Sequence, residues 1–116
     1  MHGIDLFAAT TAACMTTVYV YAKEALDSIS PIICKKLYYN LKERIIKPFL
    51  HCPFWWTGET GSKVNNWGPW IISNILYTAA LIEPDLNIRE RVVERGLVTL
   101  DNFLKTYAPD GGCDEG

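Results

Sequence analysis

Asn65-Asn66-Trp67-Gly68-Pro69-Trp70-Ile71-Ile72-Ser73-Asn74 is the stretch that decides the fold. Its first half is polar and bent by glycine and proline, and its second half is apolar and free of breakers, so a helix begins inside it. Proline suits a first helical turn because the N–H it lacks has no intrahelical partner there. The apolar run continues until Glu83-Pro84-Asp85 stops it, which predicts a helix over about 69–83.

The same period recurs on both sides. From about Asp5 to Leu26, the residues Leu6, Phe7, Thr10, Cys14, Thr17, Val18 and Tyr21 are spaced by three or four, the mark of one helical face. Ser30 followed by Pro31 is a cap and first-turn pair for a second helix over 31–49. That helix is expected to bury Ile33, Leu37, Tyr38, Leu41, Ile45 and Phe49 while Lys35, Lys36, Lys42, Glu43 and Lys47 face water. Pro48 is expected to kink or end it. A last helix over 87–107 carries Val92, Val93, Gly96, Leu97, Leu100, Phe103, Leu104 and Tyr107 as its apolar stripe. Its charged side, Arg89, Glu90, Arg91, Glu94 and Arg95, reads as a solvated face.

Nothing alternates with a period of two for long enough to make a strand, so the expected class is all-α. Two antiparallel helical hairpins follow, with short connections inside each pair and one long loop over about 50–68 between them. The first and third helices are apolar around most of their circumference and therefore want cover on most sides. That points to additional hairpins beyond the chain ends, so the 116 residues read as a single, partial domain.

Composition removes several function classes. A net charge of −2, with no basic run longer than Lys35-Lys36, excludes the electrostatic footprint of a nucleic-acid binder. The apolar run from Leu6 to Ala22 is too short and too polar to span a bilayer, and no positively charged leader precedes it. Neither a membrane partner nor a signal peptide is expected. Cys14, Cys34, Cys52 and Cys113 are scattered, with no paired spacing and no histidine at zinc distance, so no metal or cofactor is called for. The same pattern points to a reducing compartment, and hence to the cytoplasm.

Candidate chemistry gathers at the start of the third helix. Two amides, Asn65 and Asn66, meet two rings, Trp67 and Trp70, where free N–H groups and the helix dipole favour an anion such as a uronate carboxylate. Asn65 is the more structural of the two amides, and Asn66 serves either as a helix cap or as a functional group. Trp70 is expected in the core. The loop holds Trp55 and Trp56, of which one should be buried and the other offered to a sugar. The chain stops on Pro109-Asp110-Gly111-Gly112-Cys113-Asp114-Glu115-Gly116, where Glu115 is a further substrate-contact candidate.

The stretch Val64 to Ile71, the segment Leu97-Val98-Thr99-Leu100-Asp101-Asn102-Phe103-Leu104 and the ending Pro109 to Gly116 together resemble the helical domain of the heparinase II/III-like family. Asp5-Leu6-Phe7-Ala8-Ala9 and Phe54-Trp55-Trp56 fit as well, so the resemblance covers nearly the whole chain. It implies part of an incomplete α/α toroid, followed in full-length members by β-sandwich domains. It also implies β-elimination at a uronic acid in a polysaccharide, with a polysaccharide or oligosaccharide as the partner. In that chemistry an amide or imidazole offsets the substrate carboxylate, a tyrosine or histidine removes the C5 proton, and a tyrosine protonates the leaving oxygen. Family lyases often carry Asn-His-Gly at this helix start. Here Asn66-Trp67-Gly68 stands in its place, so the resemblance assigns carboxylate neutralisation to Asn66 and sets Trp67, which cannot act as a base, where histidine is usual.

The resemblance also implies that the catalytic tyrosine lies just past Gly116, so that the fragment alone would be inactive. Two other readings stand beside the lyase. One is a helical carbohydrate-binding or scaffold module without chemistry. The other is a glycoside hydrolase on the same architecture, with Glu59 and Glu115 as its carboxylate pair.

Overall fold

The computed structural model describes residues 3–113, and the fold is all-α. Helix α1 (Leu6–Ile29) is capped by the Asp5 carboxylate, which accepts from the Ala8 amide at 2.7 Å. Ser30 alone separates it from α2 (Pro31–Leu41), with the Pro31 ring in the first turn. A π-helical turn, Lys42–Ile46, then leads into α3 (Lys47–His51), so α2, the turn and α3 run on as one rod. After a 3-10 turn at Trp55–Thr57 come α4 (Trp67–Ile82) and α5 (Leu86–Leu104), joined through Asp85, whose carboxylate caps α5.

The rod passes through Pro48 instead of stopping at it. Proline has no N–H to give, and its ring collides with the carbonyl four residues back in a regular helix. The π-turn widens the spiral just ahead of it, with the Lys47 N–H reaching the Lys42 carbonyl, and so makes room for the ring.

Each hairpin is antiparallel. Gly96 packs on Ile72 and Leu76, and Thr99 reaches Gly68, so α5 returns along α4. The two hairpins lie side by side with α1 and α4 running in the same direction. Trp70 reaches Thr10, Tyr77 reaches Thr17, and the hydroxyls of Thr16 and Thr78 meet at 3.2 Å inside the contact. The core fills the space between the rods with Ile45, Ile46, Phe49, Trp56, Ile71, Ile72, Ile75, Ala79 and Val92.

This parallel contact corrects the stripe expected on α1. Its buried face is Ala9, Ala12 and Thr16, whereas Phe7 and Tyr21 are 83% and 82% exposed, and Thr10, Cys14, Thr17 and Val18 also face outward. Small side chains let two helices approach closely, and periodicity judged by size overlooks them. On α5 the buried line is Val92, Gly96, Thr99 and Phe103, while Val93, Leu97 and Leu104 remain exposed, and Tyr107, expected on this helix, lies exposed beyond its end at Leu104.

Two residues assigned to water are drawn inward. Lys42 lies 3.3 Å from the carboxylate of the buried Glu83, and donates to the Tyr38 hydroxyl at 3.4 Å. The Tyr38 hydrogen bond, together with Glu83, raises the Lys42 ammonium above its ordinary pKa. Glu83 in turn accepts from the Asp85 amide at 3.0 Å, fixing the α4–α5 corner. The second residue is Arg95.

Candidate functional site

The start of α4 is held against the inter-hairpin loop by its glycine. A Cβ added at Gly68 would lie 2.9 Å from the Trp56 carbonyl oxygen, so only glycine lets the helix begin this close to the loop backbone. Trp56 is 1% exposed, stacked between Phe54 and Phe49, and its indole N–H donates to the Ile4 carbonyl at 2.9 Å. Its ring therefore offers no face to a ligand. Trp55 is the outward member of the pair, 42% exposed, with its ring tilted against that of the half-buried Trp67 at 5.3 Å between centroids. Of the two adjacent rings, Trp56 is therefore the buried one and Trp55 the exposed one.

The loop is fastened to α5 by Arg95. Its Nε and Nη2 donate to the Glu59 carboxylate at 3.1 and 2.5 Å, Nη2 also donates to the Cys52 carbonyl at 2.9 Å, and the guanidinium lies over the Phe49 ring. These hydrogen bonds hold the Glu59 carboxyl below the usual carboxylate range, against a smaller opposing effect of burial. Asn102 adds a second tether, its amide donating to the Thr57 carbonyl at 2.9 Å.

The two amides divide their work. Asn65 Oδ1 accepts from the Trp67 N–H at 3.0 Å, and its backbone carbonyl accepts from the Gly68 N–H at 3.3 Å. Pro69 has no N–H, and the Trp70 N–H reaches the Asn66 carbonyl at 3.3 Å. The expectation of free N–H groups for an anion is therefore corrected: every donor of this first turn already has a partner. Asn66, by contrast, is helical in backbone and makes no capping bond. Its Oδ1 is a buried acceptor to which no hydrogen bond is made among the described residues.

Trp70 is not a core residue. It is 55% exposed and its indole N–H donates to the Thr10 hydroxyl at 3.1 Å, so the ring lies across from α4 to α1. Grooves flank α1 on both sides. One of about 490 Å³ runs between α1 and the rod of α2, lined by Phe7, Thr11, Met15, Asn40 and Arg44 among others. The other, about 410 Å³, follows the parallel contact of α1 and α4. Neither is lined by Asn66, Trp67 or Trp55. Glu115 lies outside the described residues, as does Asp114.

Among the described residues, no cluster of three or more His, Cys, Asp and Glu side chains is placed to hold a metal ion. No described helix is long and apolar enough to cross a membrane. No family model matches the chain, and no curated protein matches it.

Proposed function

We propose that this helical unit serves a polysaccharide-lyase-like protein, presenting Asn66 to the carboxylate of a uronic acid beside a sugar-stacking wall formed by Trp55 and Trp67. The observation that supports this most directly is that Asn65 does the capping and Asn66 makes no capping bond, so the Asn66 side-chain amide, whose Nδ2–H is the donor a carboxylate needs, stands outside the helix's own hydrogen bonding. A buried polar atom without a partner costs stability, on the order of 1–3 kcal/mol, and Asn65 already performs the capping. The unpaired Oδ1 is an acceptor, so a hydroxyl of the sugar, not its carboxylate, is the group that would complete it. The side-by-side hairpins, with α1 and α4 parallel, are also the arrangement from which an α/α toroid is built, which supports that architecture for the whole.

Trp67 supplies a ring and one N–H but no base, so proton abstraction from C5 requires another group. Among the described residues, no tyrosine hydrogen-bonds or stacks with Asn66, Trp67 or Trp55. Trp67, a ring that cannot take a proton where histidine is usual, favours a second reading, a carbohydrate-binding module without chemistry. In the hydrolase reading Glu59, engaged by Arg95 and with its pKa lowered, cannot be the proton donor, which leaves that role to Glu115, outside the described residues.

The test uses a uronate hexasaccharide and its carboxyl-reduced, neutral counterpart. Wild-type chain should bind the uronate form more tightly, and Asn66→Ala should erase that preference. Equal binding of both forms by the wild type would remove the carboxylate role. Ultraviolet absorbance from unsaturated ends, in the protein that carries this segment, separates a lyase from a binding module.

A further inference from the structure

Much of the stripe that the sequence offers for burial on α1 lies on the outside of the fold. Phe7, Thr11, Cys14, Val18, Tyr21 and Ala25 follow one another in steps of four, three, four, three and four residues, and all six are exposed. A period of about 3.5 residues, held along roughly 27 Å of helix, is the seam by which one helix packs lengthwise on another. Inside the fold α1 uses a different face, Ala9, Ala12 and Thr16, so the seam is left without a partner helix.

The seam is uncharged. α1 carries three charged side chains, Lys23, Glu24 and Asp27, none of them at a seam position, and Lys23 pairs with Asp27. Phe7 and Tyr21 stand almost wholly in solvent, and an aromatic side chain buries roughly 150–250 Å² when it is covered. The chain as a whole is elongated, 52 × 26 × 25 Å, and exposes 7184 Å². A monomer of its 13.1 kDa usually exposes about 6,400 Å². The excess, about 800 Å², is what each partner contributes to a protein interface of standard size.

The chemistry of the seam selects its cover. A helix lying on a membrane flanks its apolar side with lysine and arginine, whereas α1 has one lysine beside two acids. A second copy brings a seam of the same period, and no like charges meet when the seam faces itself. The seam also stands as a ridge between hollows, with Phe7 and Thr11 lining the one toward α2 and Cys14 lining the one toward α4. Side chains of one copy therefore have hollows in the other to enter.

We infer that the protein forms a homodimer through α1, with residues 7–25 of one copy packed along the same residues of the other. The inference does not depend on Asn66 or on a carbohydrate ligand.

Sedimentation velocity of the chain in reducing buffer, over about 1–200 μM, should show monomer giving way to dimer. Tyr21→Lys sets a like charge in the seam of both copies and should weaken the dimer about tenfold or more. Leu97→Lys, at an exposed apolar position on α5, should leave it unchanged. Circular dichroism checks that both variants fold, as substitution of exposed side chains should allow. Cys14 lies in the middle of the seam, so its alkylation by iodoacetamide, followed by mass spectrometry, should slow as dimer forms, while the exposed Cys113 keeps its rate.

A monomer throughout that range, a dimer indifferent to Tyr21→Lys or equally weakened by Leu97→Lys, or no protection of Cys14 overturns the assignment. Tyr21-dependent binding to phosphatidylcholine vesicles in place of self-association would also overturn it and give the seam to a membrane.

Discussion

Arg95 holds Glu59 across 36 positions of chain, with Nη2 to Oε2 at 2.5 Å, and the same nitrogen reaches the Cys52 carbonyl. One guanidinium thereby ties two points of the inter-hairpin loop to α5, and with them the Trp55 ring that faces Trp67. Arg95→Met keeps the stem packed on Phe49 but removes both sets of hydrogen bonds. It should lower unfolding free energy by about 2 kcal/mol in urea denaturation, and it should loosen the Trp55–Trp67 pair, visible as a change in near-ultraviolet circular dichroism.

The same pair sets a pH dependence. Because Arg95 holds the folded-state Glu59 pKa below its unfolded value, the ion pair contributes stability that is fully present above the ordinary carboxylate range. As pH falls through the unfolded and then the lowered folded value, the folded state must surrender that contribution. Thermal midpoints should therefore drop on acidification through pH of about 4.5 and below, and Glu59→Gln should flatten that part of the profile. The side chain is a third exposed, so the effect is modest and shrinks with added salt. A Glu59→Gln profile parallel to wild type would rule the pair out as its source.

How much of this was legible in the sequence differs from residue to residue. The number of helical rods and the breaks at Ser30-Pro31 and Pro84-Asp85 followed from the sequence, because caps and prolines act locally, whereas the ends expected near Leu26 and Tyr107 lie at Ile29 and Leu104. The buried face of α1 was not legible. Ala9, Ala12 and Thr16 are chosen by how closely α4 approaches, a tertiary fact, and large side chains such as Phe7 and Tyr21 drew the periodic reading to the wrong side. Arg95 looked like one more charge on a solvated face, since nothing local signals a partner 36 residues away. At the site, the division of labour between Asn65 and Asn66 was half visible: both suit a helix start, but which one caps depends on a single backbone turn.

Gly68 and Gly96 look alike in sequence and should behave differently. A methyl at Gly68 meets the Trp56 carbonyl at 2.9 Å, a backbone atom fixed by the buried indole, and neither can yield. Gly68→Ala should cost about 1–3 kcal/mol. At Gly96 the nearest atom is the Leu76 Cδ2 at 3.1 Å, the end of a side chain that can rotate, and alanine gains helix propensity. Gly96→Ala should lie within about 1 kcal/mol of wild type. Equal losses in denaturant titrations would mean that the loop does not constrain the start of α4.

Thr16 and Thr78 test the parallel seam. Both are fully buried, their hydroxyls meet at 3.2 Å, and Thr16 also binds the Ala12 carbonyl at 2.8 Å. Thr16→Val leaves the Thr78 hydroxyl short of a partner and should cost about 1–2 kcal/mol, whereas Thr78→Val leaves Thr16 its Ala12 carbonyl and should cost less. The double change removes both polar groups at once, so its cost should be smaller than the two singles added together. Strict additivity would show that the hydroxyls do not interact.

The pair Asn65 and Asn66 makes the sharpest contrast, because stability and binding should separate between neighbours. Asn65 Oδ1 caps the Trp67 N–H, so Asn65→Ala should cost about 1 kcal/mol, the usual worth of a helix cap, while leaving any uronate preference in place. Asn66 makes no capping bond and keeps a buried oxygen without a partner, so Asn66→Ala should be neutral or slightly stabilising in urea denaturation. The same variant should lose the preference for a uronate hexasaccharide over its carboxyl-reduced form. A residue that is dispensable for folding but required for telling a carboxylate from an alcohol is doing chemistry on a ligand. If instead Asn66→Ala destabilises the chain as much as Asn65→Ala and leaves selectivity untouched, the amide is structural and the carboxylate must be met elsewhere.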